Sequence, residues 1–364
     1  MGPKAAEPLD FAMGPKAAEP LEFAMGKALF DRPWAQAPTA TRADDGLGPL
    51  FVARSCVACH PKAGQGALPP GMGAALRLDN DPVYGRQLQT AAVTGLAAEG
   101  RLILKEEFTP IRYPDGATAQ LRRLVPAAVD LGDGPITVES SLRLAPPLRG
   151  LGLLERAGAR FGWKADQPDL IHQAAAAFHL DIGMSSRLYP QHEGDCTAAQ
   201  TGCLAAPHGD SAEFDGLEIS NKMLDLVAAY LRGLPPPKPG KADPAGAKLF
   251  DETGCAACHT PALSPGGEVR PYSDMRLHDM GAGLADKVPA GEASGAQWRT
   301  PPLWGLREAR RDDAGNLMLL HDGRARSIEE AILWHGGEAQ DAQRRFMNLP
   351  AKRRATLLRF VGAL

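Results

Sequence analysis

The chain has 364 residues, a length that suits two domains rather than one, and 44% of them are hydrophobic. A formal net charge of −3 excludes a general electrostatic attraction to nucleic acid or to anionic membranes. No apolar run reaches the ~18 residues of a membrane span, and the 40 glycines and 32 prolines predict long loops.

The N-terminus is a tandem repeat. MGPKAAEPLDFA (1–12) is followed by MGPKAAEPLEFA (13–24), and the copies differ only at Asp10 and Glu22. With two prolines and few large apolar residues per copy, 1–24 reads as a flexible tail, a duplicated leader remnant or a mis-set start, with no secretory signal visible. Next comes SCVACH (55–60). Residues 99–142 hold LILKEEF, TAQLRRL and PITVESSLRL, broken by Pro-Asp-Gly and Gly-Asp-Gly, which are strand and hairpin signals. Cys196 and Cys203 stand seven residues apart in a loop-like stretch, a spacing that suits a disulfide and with it an oxidising compartment. LDLVAAYLRGL (224–234) carries apolar residues at helical spacing. PPPKPGKADP (235–244) divides the chain, GCAACH (254–259) follows, and AKRRATLLRFVGAL (351–364) is a second such helix. RLAPPLRGL (143–151) is echoed by RTPPLWGL (299–306), a weak internal repeat that supports duplication.

Cys-x-x-Cys-His therefore occurs twice: Cys56, Cys59, His60 and Cys255, Cys258, His259. A thioredoxin-like site wants a strand-then-helix context, and neither copy follows a β-rich run. Zinc needs further ligands close by and does not require the His. Covalent haem c does require it. On one helical turn the two thiols share a face, where they reach the two vinyl groups of one porphyrin, and the His reaches the iron. The expectation is two covalently bound haem c groups, with His60 and His259 as iron ligands. The fold class expected is mainly α: two cytochrome c-like domains, 25–234 and 245–364, the first with a β-containing insertion at about 99–142, joined by the Pro-rich linker 235–244.

With GLGPLFVARSCVACH (46–60), PYSDMRLHDMGAGLAD (271–286), WRTPPLWG (298–305) and LLHDGRARSIEEAILWHGGEA (319–339), the chain resembles the bacterial di-haem c-type oxidoreductases of peroxidase or thiol oxidoreductase-like kind. These are related to the di-haem cytochrome c peroxidases and to the di-haem enzyme of methylamine utilisation. The similarity covers about residues 25–364. It implies a periplasmic enzyme that reduces hydrogen peroxide, or a similar small oxidant, at the N-terminal haem. Electrons would enter the C-terminal haem from a small donor protein of cytochrome c or cupredoxin type. The rivals are a di-haem electron carrier without substrate chemistry and a haem enzyme that oxidises a partner protein.

The resemblance also implies roles. Fourteen residues after His321 stands His335, where the relatives usually carry Met as sixth ligand of the second haem. Trp163 matches the relatives' interhaem Trp, with Gln173 at the matching spacing, and is the candidate electron relay. At the relatives' distal Glu-Met stands Gly183-Met184, so Asp181, or His179, is the candidate proton donor. The relatives' releasable His in a Gly-rich loop has no counterpart in GQGALPPGMG (64–73), which leaves Met72, Met184, His179 or an open position on the first iron. Calcium is possible but unsupported, because NLMLL (316–320) lacks the relatives' motif. His278 is expected to line a haem or hold a propionate, and Arg299 and Arg324 to pair with propionates or form surface salt bridges. His172, His192 and His208 read as exposed or loop residues.

Overall fold

A computed structural model describes residues 20–241, 243–263 and 269–364. Residues 1–19 of the duplicated segment lie outside the described residues. The rest of its second copy is not a tail: Pro20–Asp31 is a helix, with Glu22 in its first turn. Phe23 packs against Tyr230, ring centroids 5.0 Å apart.

Two helix pairs form the bases of two cores. In the first, Pro20–Asp31 crosses Asn221–Gly233, which starts where Ser220 Oγ accepts from the Met223 N–H (3.2 Å). The crossing is close because position 26 is glycine: a Cβ there would stand 2.1 Å from the Leu226 carbonyl oxygen. In the second, Pro244–Thr253 packs on Ala351–Gly362. Asp243 caps its start by accepting from the Gly246 N–H (2.9 Å), and Pro244 occupies the first turn, where its missing N–H costs nothing. A Cβ on Gly246 would stand 2.3 Å from Phe360 Cβ. GKALFD (26–31) and GAKLFD (246–251) are thus one repeated element, each burying its Leu and Phe (Leu29 and Phe30; Leu249 and Phe250).

The expectation of a mainly α chain of two cytochrome c-like domains is overturned. Helix accounts for 32% and strand for 20% of the structure, with strands in several small sheets. Ala74–Asp81 pairs antiparallel with both Gly85–Gln87 and Ser140–Leu144. Its alternation, with Ala74, Leu76 and Leu78 buried, is a period-two signal outside 99–142. Leu277–Asp279 pairs with Gln297–Arg299 in the C-terminal half as well. Long irregular segments rich in Gly and Pro lower the helical share further.

The longest strands, Arg101–Arg112 and Thr118–Val129, form a hairpin in unbroken register. Its outer end is seated in the C-terminal half. Tyr113 is buried in the core that holds Phe346 and Leu357, and its hydroxyl donates to Glu329 Oε1 (2.6 Å). Arg122 donates to the carbonyls of Arg324 (2.9 Å) and Gly323 (3.0 Å), and Arg354 pairs with Asp115 (2.7 Å). The hairpin ties the two halves together around the space where both pentapeptides meet.

Candidate functional site

The two pentapeptides fold alike. The His60 N–H donates to the Cys56 carbonyl and the His259 N–H to the Cys255 carbonyl, each at 2.9 Å. One turn of helix therefore puts each His under its own thiol pair. Both motifs open into a single cavity of about 960 Å³, near the upper end of the range for ligand pockets. The two proline pairs of the sequence echo, Pro146-Pro147 and Pro301-Pro302, form its wall beside the two motifs. Each echo ends on a glycine in the left-handed region, Gly150 (φ +80°) and Gly305 (φ +78°), where any other residue would be strained.

Three imidazoles line this cavity in one manner. His60 Nδ1 meets the Gly64 carbonyl (3.3 Å), His259 Nδ1 the Tyr272 carbonyl (2.9 Å) and His335 Nδ1 the Ala331 carbonyl (2.7 Å). A carbonyl only accepts, so Nδ1 carries the proton and each Nε2 keeps its lone pair. That is how ligating histidines are oriented. Burial lowers all three pKa values, His259 to about 4, which keeps the rings neutral at pH 7. His335 lies near enough that the two rings resist being protonated together, which lowers His259 further.

Burial pushes the Cys56 and Cys59 thiols up to about 12 and those of Cys255 and Cys258 up to about 11. Such thiols stay protonated, whereas a dithiol redox site needs a thiolate near neutrality. Neither motif gathers a third metal-ligating side chain within reach among the described residues, so zinc finds no tetrahedral set there.

Beyond these shared features the two ends differ. Near His259 the cavity also carries His335. Near His60 the wall carries Phe30, Phe161, Phe178 and one carboxylate, Asp181. Asp181 sits in the π-helical turn Phe178–Ile182 and accepts from Gln87 Nε2 (3.0 Å). Two residues apart, the pair lie on opposite sides of the turn: Asp181 reaches the cavity, while His179 stacks on Tyr189 (4.6 Å) away from it. Met184 is fully buried elsewhere, and Met72 is exposed. None of Met72, Met184 and His179 lines the cavity.

Trp163 lines the same cavity. Its indole N–H donates to the Leu144 carbonyl (2.8 Å), and its own carbonyl accepts from the Arg299 N–H (2.9 Å), so it is held from both halves. Gln173 lines the cavity as well. Arg299 is buried against the cavity, donates to the Gly162 carbonyl (2.8 Å) and has no carboxylate in ion-pair range among the described residues. Arg324 does not line the cavity, and its guanidinium is spent on Asp322 (2.7 Å). His278 lines the cavity with both ring nitrogens engaged, by Glu338 (2.7 Å) and Asp274 (2.8 Å). Against the desolvation of burial, these two carboxylates raise its pKa.

Trp298 and His321 line the cavity, and Lys164 lies behind them; the sequence assigns none of the three a task there. Trp298 is sandwiched between His321 (ring centroids 3.7 Å apart, 8° between planes) and the Lys164 ammonium, 3.6 Å from the ring centroid. Lys164 is buried and donates to the carbonyls of Ser294, Gly295 and Gln297. The only hint was its place beside Trp163.

A family model described as "Di-haem oxidoreductase, putative peroxidase" matches residues 12–84 and 154–364, and the chain belongs to this family. Residues 85–153, which hold the long hairpin, lie outside the match. No curated protein matches. Among solved structures, a chain of Kuenenia stuttgartiensis hydrazine synthase pressurised with 20 bar xenon is similar at 15% identity and a TM-score of 0.38, with 100% of each chain covered. A likeness of that size carries no statement about chemistry.

The family implies haem, and the cavity fits it on three counts. Neutral imidazoles present Nε2 lone pairs, the lining is largely apolar, and the buried Arg299 guanidinium, which is held by carbonyls and Met275 but by no carboxylate, lines it and could meet a propionate. Among the described residues, no helix is long and apolar enough to cross a membrane.

Proposed function

We propose that this protein is a periplasmic di-haem c-type oxidoreductase that reduces hydrogen peroxide or a similar small oxidant with electrons from a small donor protein of cytochrome c or cupredoxin type. Cys56, Cys59 and His60 would hold the N-terminal haem c, and Cys255, Cys258 and His259 the C-terminal one, each motif opening its own unit of the chain. The haems would supply one-electron transfer, and at an open iron position peroxide cleavage.

The residues have distinct tasks. His335 gives the C-terminal centre a second imidazole and keeps it closed to substrate. Asp181 acts on the His60 ring as a nearby charge and would move a proton to a departing oxygen. Gln87 fixes that carboxylate. Trp163 lines the cavity that the centres would share and is the relay, its oxidisable indole set in an otherwise saturated path. Arg299 would anchor a propionate. The observation that carries this reading is the single cavity shared by both pentapeptides, with a second imidazole at one end and a carboxylate at the other.

The test is a spin-state spectrum of half-reduced protein matured in a host able to attach haem c, together with peroxide-dependent oxidation of a reduced donor. A high-spin signal from one haem with turnover is expected. Two low-spin haems in every redox state and no turnover would leave an electron carrier instead.

A further inference from the structure

We propose a metal site outside the cavity, formed by His192, His208 and Asp210, that takes a borderline divalent cation of the zinc or copper(II) type. It does not rest on the function proposed above.

One ligand atom from each of the three residues lies within 4.8 Å of the others. Asp210 Oδ2 is 3.3 Å from His192 Nδ1 and 3.7 Å from His208 Nδ1. The longer distance is not a hydrogen bond. A tetrahedral centre with bonds of about 2.0–2.1 Å holds its donor atoms about 3.3–3.4 Å apart, close to this spacing. Two imidazoles and one carboxylate suit zinc or copper(II) rather than calcium or magnesium, which prefer all-oxygen sets.

The surroundings hold these atoms in place. The Cys196–Cys203 disulfide closes the loop between the two histidines, which are sixteen residues apart in sequence but stack with ring centroids 3.9 Å apart. The fully buried Ser185 donates its hydroxyl to Asp210 Oδ1 (3.0 Å), which leaves Oδ2 turned toward the imidazoles. The Gly209 N–H between the ligands donates to the buried Glu218 (3.0 Å). Glu193 lies 3.7 Å from His192 Nε2, outside hydrogen-bond range, and leaves Nδ1 to Asp210. His208 is exposed, so the fourth position is open to water. A bound ion would tie the disulfide loop to Ser185, the segment that follows the turn carrying Asp181.

The test uses full-length, haem-loaded protein stripped with EDTA, incubated with Zn²⁺, desalted and assayed by mass spectrometry for metal. One zinc per chain is expected in the wild type. The double variant His192→Ala/His208→Ala should retain one fewer, and Asp210→Asn should bind at least tenfold more weakly. Zinc should also raise the melting temperature of the wild type but not of the variants. If the double variant misfolds, Asp210→Asn decides, its metal-free melting temperature serving as the check on folding. A wild type that retains no zinc, or variants that bind as much as wild type, would overturn the proposal.

Discussion

The two ends of the cavity begin from the same parts. Each has a Gly-x-x-Leu-Phe-Asp helix crossing a second helix at its glycine, a Cys-x-x-Cys-His turn, and a proline pair ending on a left-handed glycine. They part company in the side chains that line the cavity near each imidazole. At the C-terminal end it is His335, its Nδ1 fixed by the Ala331 carbonyl (2.7 Å). At the N-terminal end it is a phenylalanine-lined wall with Asp181. The duplicated scaffold sets where a haem would sit. In the proposed reading, a few side chains outside the repeat would decide whether its iron is closed or reactive.

The comparison is broken most sharply at Asp181. Asp181→Asn keeps the shape and removes the proton donor, so kcat/KM for peroxide should fall about 10²–10⁴-fold with haem content unchanged. Steady-state kinetics with a reduced donor checks this, and undiminished turnover would move the acid elsewhere. Next is His335→Ala. It should change the optical and paramagnetic spectrum of the second haem alone, and a spectrum identical to wild type would rule out ligation. Trp163→Phe should slow transfer between the centres, followed by stopped-flow reduction of the second and then the first haem. Equal rates would remove the relay.

The smallest effect concerns stability. Burial raises Glu99, in the N-terminal half, from 4.5 to about 8, although Gln89 N–H and Gln200 Nε2 donate to it. A carboxyl whose folded pKa lies above its unfolded value holds its stabilising effect below pH ~4.5 and loses it as pH rises toward ~8. Wild type should therefore lose up to about 1.4 kcal/mol per pH unit across that window. Glu99→Gln should flatten the slope, as read from urea denaturation at several pH values.

Much of this was legible in the sequence because it is local. A pentapeptide needs only its own turn to present two thiols and an imidazole, and a proline pair stiffens whatever follows it. The Gly26 and Gly246 repeat was equally legible as GKALFD and GAKLFD, but went unread beside the louder motifs. Other features depend on structure that spacing does not encode. Helical spacing separates Asp181 from His179, but which of them faces the cavity depends on how the turn at 178–182 is set against the rest of the fold. His192 and His208 converge only through the disulfide loop. Arg299 and Arg324 look alike as residues, yet a neighbouring Asp322 occupies one and none occupies the other. Strand alternation at 74–78 was present but short, and the helical patterns drew the reading toward α.

The hairpin has a consequence for the order of assembly. Its contacts with Gly323 and Arg324 span 201 and 202 residues of chain. Contacts of that separation close late, after local structure has formed. A flat, rigid group bound in the chamber would enter most readily before the Arg122 contacts with the C-terminal half are made.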